Sequence, residues 1–282
     1  LFAIAITLFV LHPIIKQRRT GYKSDNALLS VTENQTDWSP HMKNKSVLIT
    51  GANKSIGFET ARQLGLLGYK IWLGSRDKER GQAAVDKLTG WGINAHLVII
   101  DVTKTESIEE AAQQVLKEDG KLDILINNAG ISGAQPVAPS AQSISDIMAV
   151  YDTNVFGIIR VTQAFIPLLK AAQEARVIMI GSGLGSLTWV ANPSHPYSQV
   201  QAMGYTSSKT AVNAITVAFA KELTAYGISV NAVDPGYTAT DFNGHSGPRT
   251  VTEAAAGIVW LADQAPGEAT AGFYFDQNRA PW

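Results

Sequence analysis

VLITGANKSIG, residues 47–57, is the stretch on which the fold turns. A short β-rich apolar run stops at Thr50, a turn follows, and a helical pattern begins near Gly57 and runs to about Leu67. Gly51 permits a tight turn with positive φ. Gly57 lets the helix start come close to the sheet and to a bound group. A helix N-terminus carries free N–H groups and partial positive charge, which suit a pyrophosphate. Glycines also punctuate strand–helix turns for purely structural reasons, so the turn by itself is a weak sign.

The pattern repeats along the chain. KIWLG (70–74) precedes a charged amphipathic stretch at 77–89. HLVII (96–100) precedes a helix at 105–118, with Thr105 expected as its cap and Glu106 in its first turn. LDILI (122–126) leads into NNAG, and a long helical stretch, roughly 142–172, meets RVIMI (176–180). Helix at 204–226, strand at 228–233, helix at 251–262 and strand at 272–275 complete the alternation. Strands that are apolar on both faces and joined by helices predict an α/β fold, a parallel sheet covered on each side. No repeat or linker interrupts residues 42–282, which read as one domain.

The second strand bears on the cofactor. An acid about 20 residues past the glycines accepts the ribose hydroxyls of NAD, whereas a nearby arginine accommodates the phosphate of NADP. Here Ser75 stands at that distance and Arg76 follows it. Lys54, inside the turn, can reach the same phosphate. Asp77 reads as a helix cap in preference to a ribose ligand. The balance favours NADPH. Asp101 and Val102 end the third strand; an acid there either accepts the adenine amino group or simply turns the chain.

Eight tyrosines occur, and only Tyr205 has a lysine four residues on, Lys209. Residues four apart on a helix share a face. A free phenol has a pKa near 10, so acid–base work near pH 7 needs its anion favoured by roughly 4 kcal/mol. An ammonium within about 4–6 Å supplies part of that. Lys209 is thus expected to depress the Tyr205 pKa and to hold the nucleotide ribose. Ser182 follows RVIMIG at a strand's C-terminal end, where open α/β sheets bind ligands; it is a candidate to stabilise a substrate oxygen, or a small residue in a flexible turn, with Ser186 a weaker competitor. Asn154 reads as an exposed polar residue or as a bend-making side chain holding a water near Lys209.

Composition narrows the classes. With 45% hydrophobic and 17% charged residues the 282-residue chain can bury a large core. A net charge of −1 with scattered basic residues offers no track for nucleic acid. The absence of cysteine excludes thiolate chemistry and suits a reducing, cytoplasmic setting. Five scattered histidines lack metal-ligand spacing, so no metal site is expected. Residues 1–15 are almost wholly apolar and precede Lys16, Arg18 and Arg19. They read as the remains of a membrane anchor or as non-native sequence ahead of Met42, so 1–41 is set apart as an extension and membrane contact is expected only if it is genuine. N-x-S/T triplets at Asn34, Asn44 and Asn53 matter only in a secretory protein.

The glycine turn, NNAG, mid-helix Asn154, strand-end Ser182, YTSSK (205–209) and Pro235-Gly236 with Thr240 stand in the order found in short-chain dehydrogenases/reductases. The chain resembles that family over about residues 45–276, and within it the NADPH-dependent carbonyl reductases most. The resemblance implies a doubly wound, Rossmann-like sheet of about seven parallel strands, and hydride transfer from NADPH to a ketone or aldehyde. It makes Tyr205 the general acid, Ser182 the polarising hydroxyl, Lys209 the tuning cation and Asn154 the anchor of a proton-relay water. It places Gly51, Asn53, Lys54, Ser55, Ile56 and Gly57 at the pyrophosphate, and Asn128, Ala129 and Gly130 beside the adenine ribose. Pro235, Gly236, Thr238 and Thr240 fall at the nicotinamide end.

Two departures stand out. Ser55 replaces the usual middle glycine; a serine fits there if its φ is negative, at the expense of the close backbone approach a glycine allows. WVANPSHPY (189–197) is inserted between Ser182 and Tyr205, either as a wall of the substrate pocket or as an obstacle to tetramers, leaving a monomer as an alternative to dimer or tetramer. Tyr197 lies nearer Ser182 but has Gln201, not lysine, four residues on, and is set aside as catalytic. Trp189, Val190, Tyr237 and Phe242 are expected to line an apolar pocket, with 238–250 as a lid. A cofactor-binding regulatory protein and an NAD-dependent alcohol or sterol dehydrogenase are the competing readings.

Overall fold

The computed structural model of the protein describes residues 45–133, 137–264 and 270–282. The expectations for the 1–41 extension, Asn34 and Asn44 lie outside the described residues. Strands β1 (Ser46–Ile49), β2 (Lys70–Ser75), β3 (Ala95–Ile99), β4 (Ile124–Asn127), β5 (Arg176–Ile180), β6 (Ser229–Asp234) and β7 (Phe273–Phe275) pair in parallel in the order β3-β2-β1-β4-β5-β6-β7. A two-residue strand β8 (Asn278–Arg279) adds antiparallel at the β7 edge. The expected strands sit within about two residues of their positions, and the sheet is the Rossmann-like one implied by the resemblance.

Alternation within each strand sends its side chains to two cores. Leu48, Trp72, Val98, Leu125 and Val177 face helices α3 (Thr105–Asp119), α5 (Gly157–Lys170) and α7 (Met203–Leu223). Val47, Ile49, Ile71, Leu73, Ile126 and Ile178 face α1 (Ser55–Leu66), α2 (Lys78–Gly90) and α8 (Val251–Ala262). Both sheet faces are therefore dry. This is why the strands read as unbroken apolar runs.

The order reverses between β1 and β4, which opens a crevice at their C-terminal ends. Thr50 bridges it. Its hydroxyl accepts the Asn128 and Ala129 amides, each at 3.0 Å. The Asn128 side chain reaches back, Nδ2 donating to the carbonyls of Thr50 (2.8 Å) and Gly51 (3.2 Å). The long helical stretch is continuous but not uniform. Helix α4 (Ile144–Tyr151) runs into a π-helical turn, Asp152–Phe156, before α5. A short helix α6 (Leu187–Val190) lies in the insertion.

One cap is misplaced by the sequence reading. Lys104, with no side-chain cap, precedes α3, and Thr105 is already helical. Asp77 does cap α2, accepting the Arg80 amide at 3.0 Å, as preferred. Among the described residues no helix is long and apolar enough to cross a membrane.

Candidate active site

The glycine turn ends on a helix start that the protein leaves open. Lys54 precedes α1 with no side-chain cap, and no acid lies in the first turn. Those amides are the fit for an anionic group. Space is kept by Gly57, where an added Cβ would sit 2.5 Å from Asn128 Nδ2 and 3.0 Å from the Gly51 carbonyl. Gly51 has φ +64, as expected. Ser55 does not fit as expected: its φ is +57, in the left-handed region, a strain of about 1–2 kcal/mol for a residue with a side chain. The turn thus keeps the glycine-like backbone at the residue that lost its glycine.

Around this turn, Arg76 is exposed at the end of β2, close enough to Asp101 to help hold that carboxyl below its ordinary value. Asp101 Oδ1 accepts both the amide (3.1 Å) and hydroxyl (2.8 Å) of Thr103, so it turns the chain, while Val102 is buried. Lys54 donates to Asp241 Oδ2 at 2.8 Å, linking the glycine turn to the 238–250 segment. Asn53 and Ile56 are part-buried in the turn and the first helical residues.

The reactive groups meet at the C-terminal ends of β5 and β6. Ser182 stands in extended backbone just past β5, and its hydroxyl lies in hydrogen-bonding range of the Tyr205 phenol. Tyr205 sits in the first turn of α7, which Gln142 helps start by accepting the Gly204 amide at 2.9 Å. Lys209, one turn on, is buried; its Nζ lies 5.7 Å from the Tyr205 ring centre and donates to the Ile180 carbonyl at 2.7 Å. Structure therefore brings Ser182, Tyr205 and Lys209 together.

The electrostatics differ from expectation. Burial raises the Tyr205 phenol well above its ordinary value; the neighbouring Ser182 hydroxyl opposes this, while Asp234 and Tyr197 add to it. The expected depression by Lys209 is absent from these causes. Burial lowers Lys209 to about 8, with Asp234 acting against that fall. At neutral pH the pair is a neutral phenol beside an ammonium.

Asn154 is wholly buried in the π-turn, not exposed. Its Oδ1 accepts the Ile131 amide (2.8 Å); its Nδ2 donates to the Ile131 carbonyl (2.9 Å) and to Ser208 Oγ (3.2 Å). The side chain clamps the segment after NNAG to α7, and Gly130 packs 3.3 Å from it by the position of a Cβ.

The 238–250 segment closes on itself. Thr238 pairs with Arg249, and Asn243 Nδ2 donates to the Thr238 carbonyl at 2.8 Å. Thr238 and Thr240 are buried, and Thr238 Oγ1 donates to the carbonyls of Pro235 and Gly236. From this segment Phe242 meets the Tyr205 ring edge-on at 5.6 Å. Tyr237 is half exposed and bonded to Ser246.

The insertion folds onto the site through aromatic contacts. Trp189 stacks on His195 (5.2 Å, 6° between planes) and touches Phe273 and Phe275. Trp189 is thus largely a packing centre, and Tyr197 is the group presented to the site: a Cβ on Gly183 would lie 2.3 Å from its ring. Tyr197, set aside as catalytic, is a neighbour of the reacting groups whose phenol burial pushes up to about 12. Sequence reasoning also missed Asp234. A charge directly after the ISVNAV strand, at its C-terminal end, was the available signal. Among the described residues no acid, histidine or cysteine cluster could hold a metal.

The family model described as short chain dehydrogenase matches residues 45–250. The chain belongs to the short-chain dehydrogenase family. A short-chain dehydrogenase named anuI from Penicillium roqueforti is 38% identical over 240 residues, covering 82% of this chain and 94% of its own. A (-)-isopiperitenone reductase from Mentha piperita is 30% identical, covering 83% and 96%. Among solved structures, an NADPH-bound carbonyl reductase from chicken fatty liver superimposes with TM-score 0.76 at 28% identity, covering 86% and 100%. Salutaridine reductase from Papaver somniferum does so with TM-score 0.73 at 26% identity, covering 82% and 99%. As a short-chain dehydrogenase the protein is an oxidoreductase of small molecules that works with a nicotinamide cofactor.

Proposed function

We propose that the protein reduces a ketone or aldehyde to an alcohol with NADPH, Tyr205 acting as general acid. The observation that carries this is the convergence of the Ser182 hydroxyl, the Tyr205 phenol and the Lys209 ammonium at the C-terminal ends of β5 and β6, on the same edge of the parallel sheet as the open helix start after β1. A bound nucleotide would supply the hydride; the protein supplies the proton and the placement. Ser182 holds the substrate oxygen. Tyr205, kept neutral by burial, has the proton to give it. Lys209 stabilises the phenolate left behind and is placed to hold the ribose. Arg76, exposed at the end of β2, supports NADPH over NADH. Phe242, edge-on to the Tyr205 ring, and Tyr197, packed at Gly183 beside Ser182, give the substrate aromatic walls. The similarity to a carbonyl reductase structure and to an isopiperitenone reductase supports the reductive direction.

The test is NADPH consumption against a carbonyl panel with wild type and Tyr205→Phe. Wild type turns over at least one carbonyl; the variant loses turnover by roughly 10²-fold or more and keeps nucleotide binding. A wild type that binds NADPH and reduces nothing refutes the proposal in favour of a regulatory role.

A further inference from the structure

Asp234 is a buried acid for which the reaction as described has no use. It ends β6 one residue past Val233, and Val233 pairs with Ile180, whose carbonyl takes the Lys209 ammonium. Its Oδ1 accepts the Gly236 amide at 2.9 Å. Its Oδ2 is buried and, among the described residues, meets no donor in hydrogen-bond geometry. The Gly183 amide turns its positive end towards the carboxyl without completing such a bond, and a Cβ on Gly183 would lie 2.9 Å from Oδ2.

Charged and titratable groups face Asp234 from three elements. Lys209 and Tyr205 lie on α7, Tyr197 on the insertion, and Arg249 on the segment leading into α8. Arg249 also acts on Asp234, ahead of Lys209, but it is shared: its two terminal nitrogens clamp Asp276 at 2.7 and 2.6 Å, Glu253 lies within its field, and among the described residues its buried Nε meets no partner. Among the described residues, buried Lys209 donates only to a neutral carbonyl and has no ion-paired carboxylate.

We propose that Asp234 is a positioning residue of this site, a fixed negative charge at the end of β6 that keeps Lys209 an ammonium where the protein has stripped it of water. Burial alone drives the lysine towards neutrality; the nearby carboxylate opposes that. The same carboxylate disfavours a Tyr205 phenolate, so it holds the resting pair as phenol plus ammonium. The arrangement matters only above about pH 6, where the carboxyl itself is ionised. Below that, Lys209 is protonated without help.

The inference rests on the reductase reading, and two measurements separate the failure of one from the failure of the other. The first is the pH profile of kcat/KM for wild type and Asp234→Asn. The basic limb of the variant moves to lower pH by about one unit, so its activity relative to wild type falls roughly tenfold across that window. A loss by one constant factor at every pH overturns the proposal, since a merely structural role predicts that. The second needs no turnover and no variant at Asp234. The carbon-13 carboxyl signal of Asp234 is titrated in wild type and in Lys209→Met. Coupling is reciprocal, so removing the ammonium raises the Asp234 midpoint by about one unit. A midpoint that stays put overturns the pairing. A moved midpoint in a protein that reduces no carbonyl leaves the pairing standing and sinks the reductase reading.

Discussion

Gly185 sits where the turn after Ser182 touches α7, and replacing it with alanine tests how tightly that contact sets the site. The added Cβ would lie 2.7 Å from the Lys209 carbonyl carbon, 2.8 Å from its oxygen and 3.0 Å from its Cβ. Ordinary contact begins at 3.4 Å, so the turn or the helix must move by about 0.7 Å. The obstacle is mid-helix backbone and cannot swing aside. Two bonds hold the surfaces together, Thr210 Oγ1 and Asn213 Nδ2 each donating to the Gly185 carbonyl at 3.1 Å. Overpacking of this kind costs about 1–3 kcal/mol. For a domain of this size that lowers Tm by about 2–12 °C. The same shift separates Ser182 from Tyr205, and a displacement near 1 Å costs on the order of 10²-fold in rate. The assay pairs a thermal melt with initial rates of NADPH oxidation. Gly90→Ala serves as control, since a Cβ there meets nothing within 4 Å. An unchanged Tm refutes the close approach; a lowered Tm with wild-type kcat refutes the claim that this contact aligns the reacting groups.

Other outcomes follow from single residues. Arg76→Asp lowers the NADPH-over-NADH preference by at least about tenfold, the worth of one charge-assisted bond; equal ratios before and after would remove Arg76 from the site. Ser55→Gly relieves left-handed strain at φ +57 and raises Tm, by about 1 kcal/mol of stability, whereas a lowered Tm would show that the serine is at ease there. Asp241→Asn frees Lys54 from its exposed bond, leaves Tm unchanged and tightens NADPH relative to NADH in titration calorimetry; weaker NADPH binding would contradict it. Asp234 is held at about 6 against an ordinary 3.8, so the folded state binds the extra proton between those values. Its contribution to stability is complete below pH 3.8 and is lost as pH rises through 6, at most about 3 kcal/mol. Asp234→Asn flattens that slope in denaturant melts, and a slope identical to wild type would count against the burial.

The sheet was legible because parallel strands dry on both faces leave apolar runs that any reading finds, RVIMI being the clearest. The Tyr205–Lys209 pair was legible because helical spacing puts it on one face. Other features turn on backbone and burial, which residue type does not report. A serine at position 55 says nothing of a φ of +57. Asn154 reads as a poor helix former, yet its full burial depends on Ile131, more than twenty residues away. Tyr197 was judged by its missing lysine; what places it at the site is the Trp189–His195 stack, a contact with no periodicity. The expected Lys209 effect on Tyr205 rests on distance alone, whereas the phenol is governed first by burial, which a sequence does not report.

One hydroxyl, that of Thr50, gathers two amides from the neighbouring strand end while the Asn128 amide grips the turn from the other side. The loop that would receive a nucleotide is therefore stitched to the sheet in advance, so little chain entropy remains to be surrendered when the guest arrives. Thr50→Val, similar in volume but unable to accept either amide, would let that loop wander, and the penalty would surface as slower capture and faster escape of the nucleotide with the sheet intact.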